Sequence, residues 1–348
     1  MIRRVFSALF LMFVILGALF LASLAHAQSA SPVISGGVGF ISTTNGGSTF
    51  FQPVVAPVIA VPLGDRWLIE SRVDLRGLIF RPNRGAPYQG QFFDTIEYAQ
   101  VDYNVGSELT VVAGRFLTPF NMYNERFTPI WIRNLEDAPL IFPIGTRTTG
   151  YSDGFMARGV LLSQDSYELN YTAYFSALSA IDKLESGRAT GARIGVFFPG
   201  RGLELGASYQ KLLQDGRTNA VGTYVSWQPD PIPFALRGEF AHSQFGEGYW
   251  LEGTYRLSQF GGASSVLGRL QPVARIQQYF HAAPDPSGSL PSVDTQRVDF
   301  GLNYYLPREI RLDGSYGRQF SSRGNRNVWN FAVTYRFLLP MLPGGTRK

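Results

Sequence analysis

Trp329-Asn330-Phe331-Ala332-Val333-Thr334-Tyr335-Arg336-Phe337 alternates without a break. Trp329, Phe331, Val333, Tyr335 and Phe337 share one face, and Asn330, Ala332, Thr334 and Arg336 share the other. Successive strand residues point to opposite sides, so this is a strand with one apolar, aromatic face and one polar face. A strand half-buried in a water-soluble core has the same pattern. Recurrence separates the two readings, because the alternation returns about every ten to twenty residues through most of the chain, as in a barrel that is apolar outside and polar inside.

Working outward from that segment, alternation and breakers predict sixteen strands: 33–42, 52–62, 66–80, 93–104, 108–118, 154–163, 166–177, 190–199, 203–212, 219–228, 232–244, 247–258, 269–280, 294–305, 308–318 and 327–337. Most match the roughly 9–11 residues a tilted strand needs to cross hydrocarbon. The expectation is an all-β fold, a transmembrane antiparallel β-barrel of about sixteen strands. The alternative is fourteen, if the Gly-rich first and Pro-rich second segments are not strands. Tight turns are predicted at 62–65, 105–107, 164–165, 199–202, 228–231 and 306–308, where Gly, Pro and Asp suit sharp reversals. Longer connections, at 43–51, 81–92, 119–153, 178–189, 281–293 and 319–326, alternate with them. Short turns on the periplasmic side and long loops outside are the bacterial arrangement. The connections 213–218, 245–246 and 259–268 fit it less well.

The beginning of the chain sets the compartment. Arg3 and Arg4 precede an apolar stretch from Val5 to Leu24, and Ala25-His26-Ala27 supplies small residues for cleavage. Residues 1–27 read as a signal peptide, with an uncleaved anchor as the alternative. Residues 28–337 then form the barrel and 338–348 a short tail. After Ala27 no apolar run approaches the roughly 20 residues of a membrane-spanning helix. Cysteine is absent, which excludes disulfides and thiolate chemistry. Without Arg3 and Arg4, 29 basic residues face 26 acidic ones, about +3, interleaved rather than gathered into a nucleic-acid-binding stripe.

The charged residues sit on the face opposite the apolar one. Arg297 and Asp299 alternate with Val298 and Phe300, and Arg72, Asp74 and Arg76 alternate with Val73 and Leu75. An arginine facing lipid at the bilayer centre costs about 2–4 kcal/mol, so this set is expected to line a water-filled interior. Arg115 is less simple, because Leu109, Val111 and Ala113 would turn it outward unless a bulge intervenes. Trp67, Trp227, Tyr335 and Phe337 fall at periplasmic strand ends, where an aromatic girdle belongs.

The connection 119–153 is the longest. It holds Glu125, Arg126, Arg133, Glu136, Asp137 and Arg147 among Phe127, Trp131, Leu140, Ile141 and Phe142. So many apolar groups imply packing, and its length implies a role. As the third extracellular loop, folded inward, it would narrow the lumen. Glu125, Arg126, Arg133, Glu136 and Asp137 would then form a constriction opposite Arg72, Arg76 and Arg115, a charge-filtered aperture. An outward lid or an oligomer contact is the alternative.

Sixteen strands with a long loop after the fifth resemble the general bacterial porins. The segments Ala113-Gly114-Arg115-Phe116-Leu117-Thr118-Pro119-Phe120 and Gly301-Leu302-Asn303-Tyr304-Tyr305-Leu306-Pro307 are similar to the phosphate-selective porin O and P family. The resemblance implies a water-filled channel for small hydrophilic solutes, often a homotrimer, in the outer membrane. In that family lysines and arginines lining the pore accompany phosphate selectivity; this chain departs from it with only Lys183, Lys211 and Lys348. Phe337 resembles the terminal aromatic read by the barrel-assembly machinery, although Leu338 to Lys348 follow it.

Other chemistry finds little support. His242 and Ser243 are adjacent and so point to opposite faces. No His spacing suggests a metal site, and the glycine-rich 36–39 precedes no phosphate-cradling helix. The expectation is no catalytic residue, no metal, no cofactor and no nucleic acid. A non-conducting structural or adhesive barrel is the alternative to a pore.

Overall fold

The computed structural model describes residues 32–82, 85–146, 150–179, 184, 186–214, 217–262 and 264–340. The expected signal peptide 1–27, Arg147, Lys183 and the end of the tail, 341–348, lie outside them. The strands are β1 (Val33–Asn45), β2 (Ser48–Leu63), β3 (Trp67–Phe80), β4 (Gln89–Gly106), β5 (Leu109–Leu117), β6 (Tyr151–Gln164), β7 (Tyr167–Ala177) and β8 (Ala189–Phe198). They continue as β9 (Leu203–Leu212), β10 (Asn219–Trp227), β11 (Phe234–Ser243), β12 (Gly246–Tyr255), β13 (Leu270–His281), β14 (Thr295–Tyr305), β15 (Ile310–Ser321) and β16 (Arg326–Pro340). Each pairs antiparallel with its neighbours in sequence, and β1 pairs with β16 from Val33↔Pro340 to Asn45↔Val328. Closure leaves no unpaired strand edge.

The alternation read from 329–337 sets the two surfaces. Trp329 is 57% exposed and Phe300 61%, both pointing away from the barrel axis, whereas Asn330, Asp299 and Arg297 are buried on the inward rows. Register carries this around the sheet: Arg275↔Asp299, Asp299↔Gly317 and Asn303↔Asp313 stand side by side on the inner face. Val38, Val55, Phe155, Phe175, Ile194, Leu205, Phe240 and Ile276 are exposed on the outside. An apolar surface of that extent matches hydrocarbon rather than water. Trp67 against Tyr103 and Trp227 against Phe234 mark the short-turn end, with ring centroids 4.5 and 5.8 Å apart. Tyr316 against Trp329, at 4.5 Å, marks the opposite end.

Besides an earlier start of β4, at Gln89, and a shorter β15–β16 connection, at 322–325, three boundaries differ from expectation. β1 and β2 are joined by Gly46-Gly47 alone, so the connection placed at 43–51 is a tight turn. Both segments are strands, which excludes the count of fourteen. The long loop spans 118–150, since residues 151–153 open β6 by pairing with β5. Finally, β16 continues through Leu338 and Leu339 to Pro340, opposite Ser35, Ile34 and Val33, so the described start of the tail is strand.

Candidate functional site

The loop after β5 enters the barrel through its partners. Two short helices punctuate it, α1 (Tyr123–Phe127) and α2 (Phe142–Thr146). At the start of α1 the Met122 and Tyr123 N–H groups donate to Glu239 Oε1 on β11, at 2.8 and 2.7 Å, and Trp250 Nε1 donates to Glu239 Oε2 at 3.1 Å. The first amides of a helix have no partner within it, and here a wall carboxylate supplies one. Asn121 donates from its backbone to Ser208 Oγ (2.9 Å) and from Nδ2 to the Phe240 carbonyl (3.1 Å). Arg193 on β8 donates to the Asn121 carbonyl and pairs with Glu125. Arg126 reaches Glu204 on β9 in a two-pronged pair, at 2.6 and 2.8 Å.

Further along, Arg311 on β15 caps three loop carbonyls, Ile130 (2.9 Å), Trp131 (3.3 Å) and Arg133 (2.8 Å). Asn134 donates to Glu252 at 2.7 Å and its carbonyl accepts from Asn303 at 3.1 Å. Asp137 accepts from Arg297 Nη2 at 2.6 Å and Asn330 Nδ2 at 3.2 Å, while Arg275 donates to its backbone carbonyl at 3.0 Å. Burial pushes the Asp137 carboxyl up, but the Arg297 charge and hydrogen bond overcome it and hold the group below the usual carboxylate range. Its neighbour Glu136 accepts from Ser315 Oγ at 2.5 Å. Burial is the main cause that carries Glu136 up to about 7, and Asp313 and Asp137 add to it.

Close approach of this loop requires a wall without side chains in places. A Cβ at Gly37 would lie 2.2 Å from the Trp131 ring, and one at Gly222 would lie 2.4 Å from Asn121 Oδ1. Apolar contacts complete the seat. Phe120, Met122, Tyr123 and Ile141 pack with Tyr224, Trp250 and Tyr279, and Ile130 packs with Ile41, Val54 and Ala332. The loop is therefore fastened to the arc from β8 through β16, and on to β1 and β2.

The arc from β3 to β7 carries a second set of charges, paired along the wall. Arg72 bonds Glu97, the extra residue where the β3–β4 register slips, and Arg76 pairs with Asp74 at 2.7 Å. Arg158 pairs with Asp102 at 2.6 Å. Arg115 is buried, donating to the Ile96 carbonyl at 2.6 Å and to Asp153 at 2.8 Å, with its guanidinium over the Tyr151 ring. Gly114 before it has φ 120°, which breaks the regular alternation at that end of β5.

The eleven residues singled out in sequence fall into two groups. Glu125, Arg126, Arg133, Glu136 and Asp137 lie on the loop, with Arg297 and Asp299 on the wall beneath it. Arg72, Asp74, Arg76 and Arg115 belong to the other arc and pair there with wall acids or with each other. Sequence reasoning missed Glu239, Arg193, Arg275 and Arg311, which hold the loop. Their signal was available: each is a charged residue on an inward row of its strand, a position that must face either water or a partner. His242 and Ser243 do lie on opposite faces, His242 exposed beside Glu247 and Ser243 buried.

No family model and no curated protein matches the chain by sequence. Solved structures match it along most of its length. An anion-selective porin from Comamonas acidovorans superposes with a TM-score of 0.56 at 11% identity, covering 89% of this chain and 99% of that one. Salmonella typhi OmpF in complex with daunomycin gives 0.56 at 12% identity, over 88% and 97%. OmpT of Vibrio cholerae gives 0.55 at 10% identity, over 90% and 100%. At these identities the likeness establishes the architecture, and the chain has the sixteen-stranded fold of the bacterial porins.

Proposed function

We propose that this chain is an outer-membrane porin, a passive channel for small hydrophilic solutes or ions. The observation that carries the reading is the asymmetric seat of the loop. It is fastened to one arc of the inner wall, and the opposite arc keeps its charges paired along the wall, with Arg76 and Arg158 partly exposed there beside Asp74 and Asp102. A lumen narrowed from one side and lined by charge on the other passes water and filters solutes by size and sign. Glu125, Arg126, Arg133, Glu136 and Asp137 form the constriction loop in this reading, and Arg72, Asp74, Arg76, Arg115, Arg297 and Asp299 the wall around it.

Export with removal of residues 1–27, insertion by the barrel-assembly machinery, contact with outer-membrane lipid and assembly as a homotrimer belong to the same proposal. The segments 113–120 and 301–307 support including phosphate among the solutes tested. The measurement is single-channel conductance of the refolded protein in a planar bilayer, with the reversal potential under a salt gradient and added phosphate. Stable open steps are expected, and the sign of the reversal potential identifies the favoured ion. Folded barrels that never conduct would replace this reading with a structural or adhesive one.

A further inference from the structure

Between α1, the following loop residues and the wall strands β11–β13 lies a cavity of about 10 Å³, room for one small guest. Three arginines line it, Arg133, Arg237 and Arg275, against one carboxylate, Glu252. That carboxylate already accepts from Asn134, and its other oxygen stands 3.9 Å from Arg275. Arg275 is 1% exposed; its Nη1 serves the Asp137 carbonyl and its Nε faces Asp299 at 3.5 Å, while Nη2 has no hydrogen-bond partner among the described residues. The Tyr123 hydroxyl, on a side chain 5% exposed, has the Arg133 guanidinium as its polar neighbour. Arg237 lies over the Phe127 ring at 4.2 Å, and among the described residues neither it nor Arg133 makes a carboxylate ion pair.

We infer that this cavity binds a small inorganic anion of about chloride size. Among the described residues Arg275 Nη2 is a donor without a partner, and it meets Arg133 and the Tyr123 hydroxyl where arginines outnumber carboxylates along the lining. Arg275 shares Glu252 and Asp299, so the positive charge left over is that of the half-buried Arg133 and Arg237. A water molecule could accept two hydrogen bonds from these groups but would leave the charge uncompensated. An anion answers both demands, and the limited space excludes large solutes. The site lies under the loop, in the seam between loop and wall, so it stands whether or not the lumen conducts. A bound anion would tie α1 and Arg133 to β11 and β13, adding to the fastening of the loop.

Trp250 lines the same cavity and offers the readout. Bromide held beside its indole quenches fluorescence through the heavy-atom effect. Refolded protein is titrated with bromide against gluconate at constant ionic strength, for the wild type, Trp250→Phe, and an Arg133→Gln, Arg237→Gln double variant. Both arginines are half-buried, so the double variant spares the fully buried Arg275. A saturable quenching component is expected, displaced by chloride, absent in Trp250→Phe, and roughly tenfold weaker in the double variant. Purely collisional quenching would overturn the inference, and so would a saturable component that survives the double substitution. If Trp250→Phe fails to fold, anomalous scattering from bromide-soaked wild-type crystals decides: a peak between Arg275 and Tyr123 supports the site, and its absence removes it.

Discussion

The two arcs of the inner wall carry the same kinds of residue and use them differently. From β8 round to β16, inward charges reach across to the loop: Glu239 holds two of its amides, Arg311 three of its carbonyls and Arg297 its Asp137. From β3 to β7 they reach sideways, Arg72 to Glu97, Arg76 to Asp74 and Arg158 to Asp102. The difference follows from side-chain size. Gly37, Gly222 and Gly301 stand where Trp131, Asn121 and Leu135 approach the covered wall. The other arc presents Arg72, Tyr98 and Arg158 instead, and Arg72 lies 5.1 Å from the Tyr98 ring centre. One alternating pattern thus builds an anchor on one side and a lining on the other.

The largest test breaks one pair in each arc. Arg297→Met leaves Asp137 and Asp299 without their shared guanidinium in a site where Arg297 is 8% and Asp299 2% exposed at the side chain. Removing one partner of a buried pair strands the other charge, and a loss of about 3–5 kcal/mol is expected in urea unfolding. Arg158→Met removes a side chain that is 40% exposed. Water screens the guanidinium, and Asp102, itself 6% exposed, keeps a hydrogen bond from Gln100 at 2.9 Å, so the loss should be about 1 kcal/mol, with the change mainly in ion preference. Equal losses in the two variants would mean that the Arg158 pair is as dry as the Arg297 pair.

How far the sequence revealed this contrast depends on the range of the interactions. The strands were legible because each writes its own alternation, as 329–337 does, and because turn residues such as Leu63-Gly64-Asp65 lie between them. The β1–β2 turn was obscured by Thr43, Thr44, Asn45, Ser48 and Thr49, whose polarity reads as loop although they pair across the hairpin. The acids and arginines of the loop were legible as a charged group. Their partners were not: Met122 and Glu239 are 117 positions apart and meet only when the sheet closes and the loop turns inward. Arg115 needed the backbone itself, since nothing local in its neighbours announces the φ of Gly114.

An intermediate effect should come from pH, on the covered arc. Glu136 faces Ser315 and Asp313 on β15 and stands beside Asp137; Asp313 is paired with Arg311, and Asp137 with Arg297. With its pKa raised to about 7, the folded chain keeps this proton at pH values where the unfolded chain has released it. Its contribution is therefore full below about 4.5, declines as pH rises, and is lost above about 7, with an upper limit near 3 kcal/mol. Glu136→Gln has no proton to lose, so the difference in stability between wild type and variant should follow that curve. A difference independent of pH from 4 to 8, as round limits for the scan, would show that Glu136 is ionised in the folded barrel, with the Ser315 contact doing no more than hydrogen bonding.

The smallest and most local effect concerns the room made for the loop. Gly37→Val places a branched side chain where a Cβ alone would lie 2.2 Å from the Trp131 ring. Trp131 must leave that seat, while the β1 backbone, extended and paired on both sides, accepts valine readily. Overpacking of this kind costs about 1–3 kcal/mol, here offset in part by the gain in strand propensity. The displaced indole should be visible as greater accessibility of its fluorescence to a neutral quencher. Because Arg311 grips the Ile130, Trp131 and Arg133 carbonyls, the disturbance should stop there and leave the Asp137 end of the loop in place. A Gly37→Val barrel with unaltered Trp131 accessibility would show that the loop is not seated on β1. The covered arc would then begin at β16, and the aperture beside the charged β3–β7 wall would be wider by two strands.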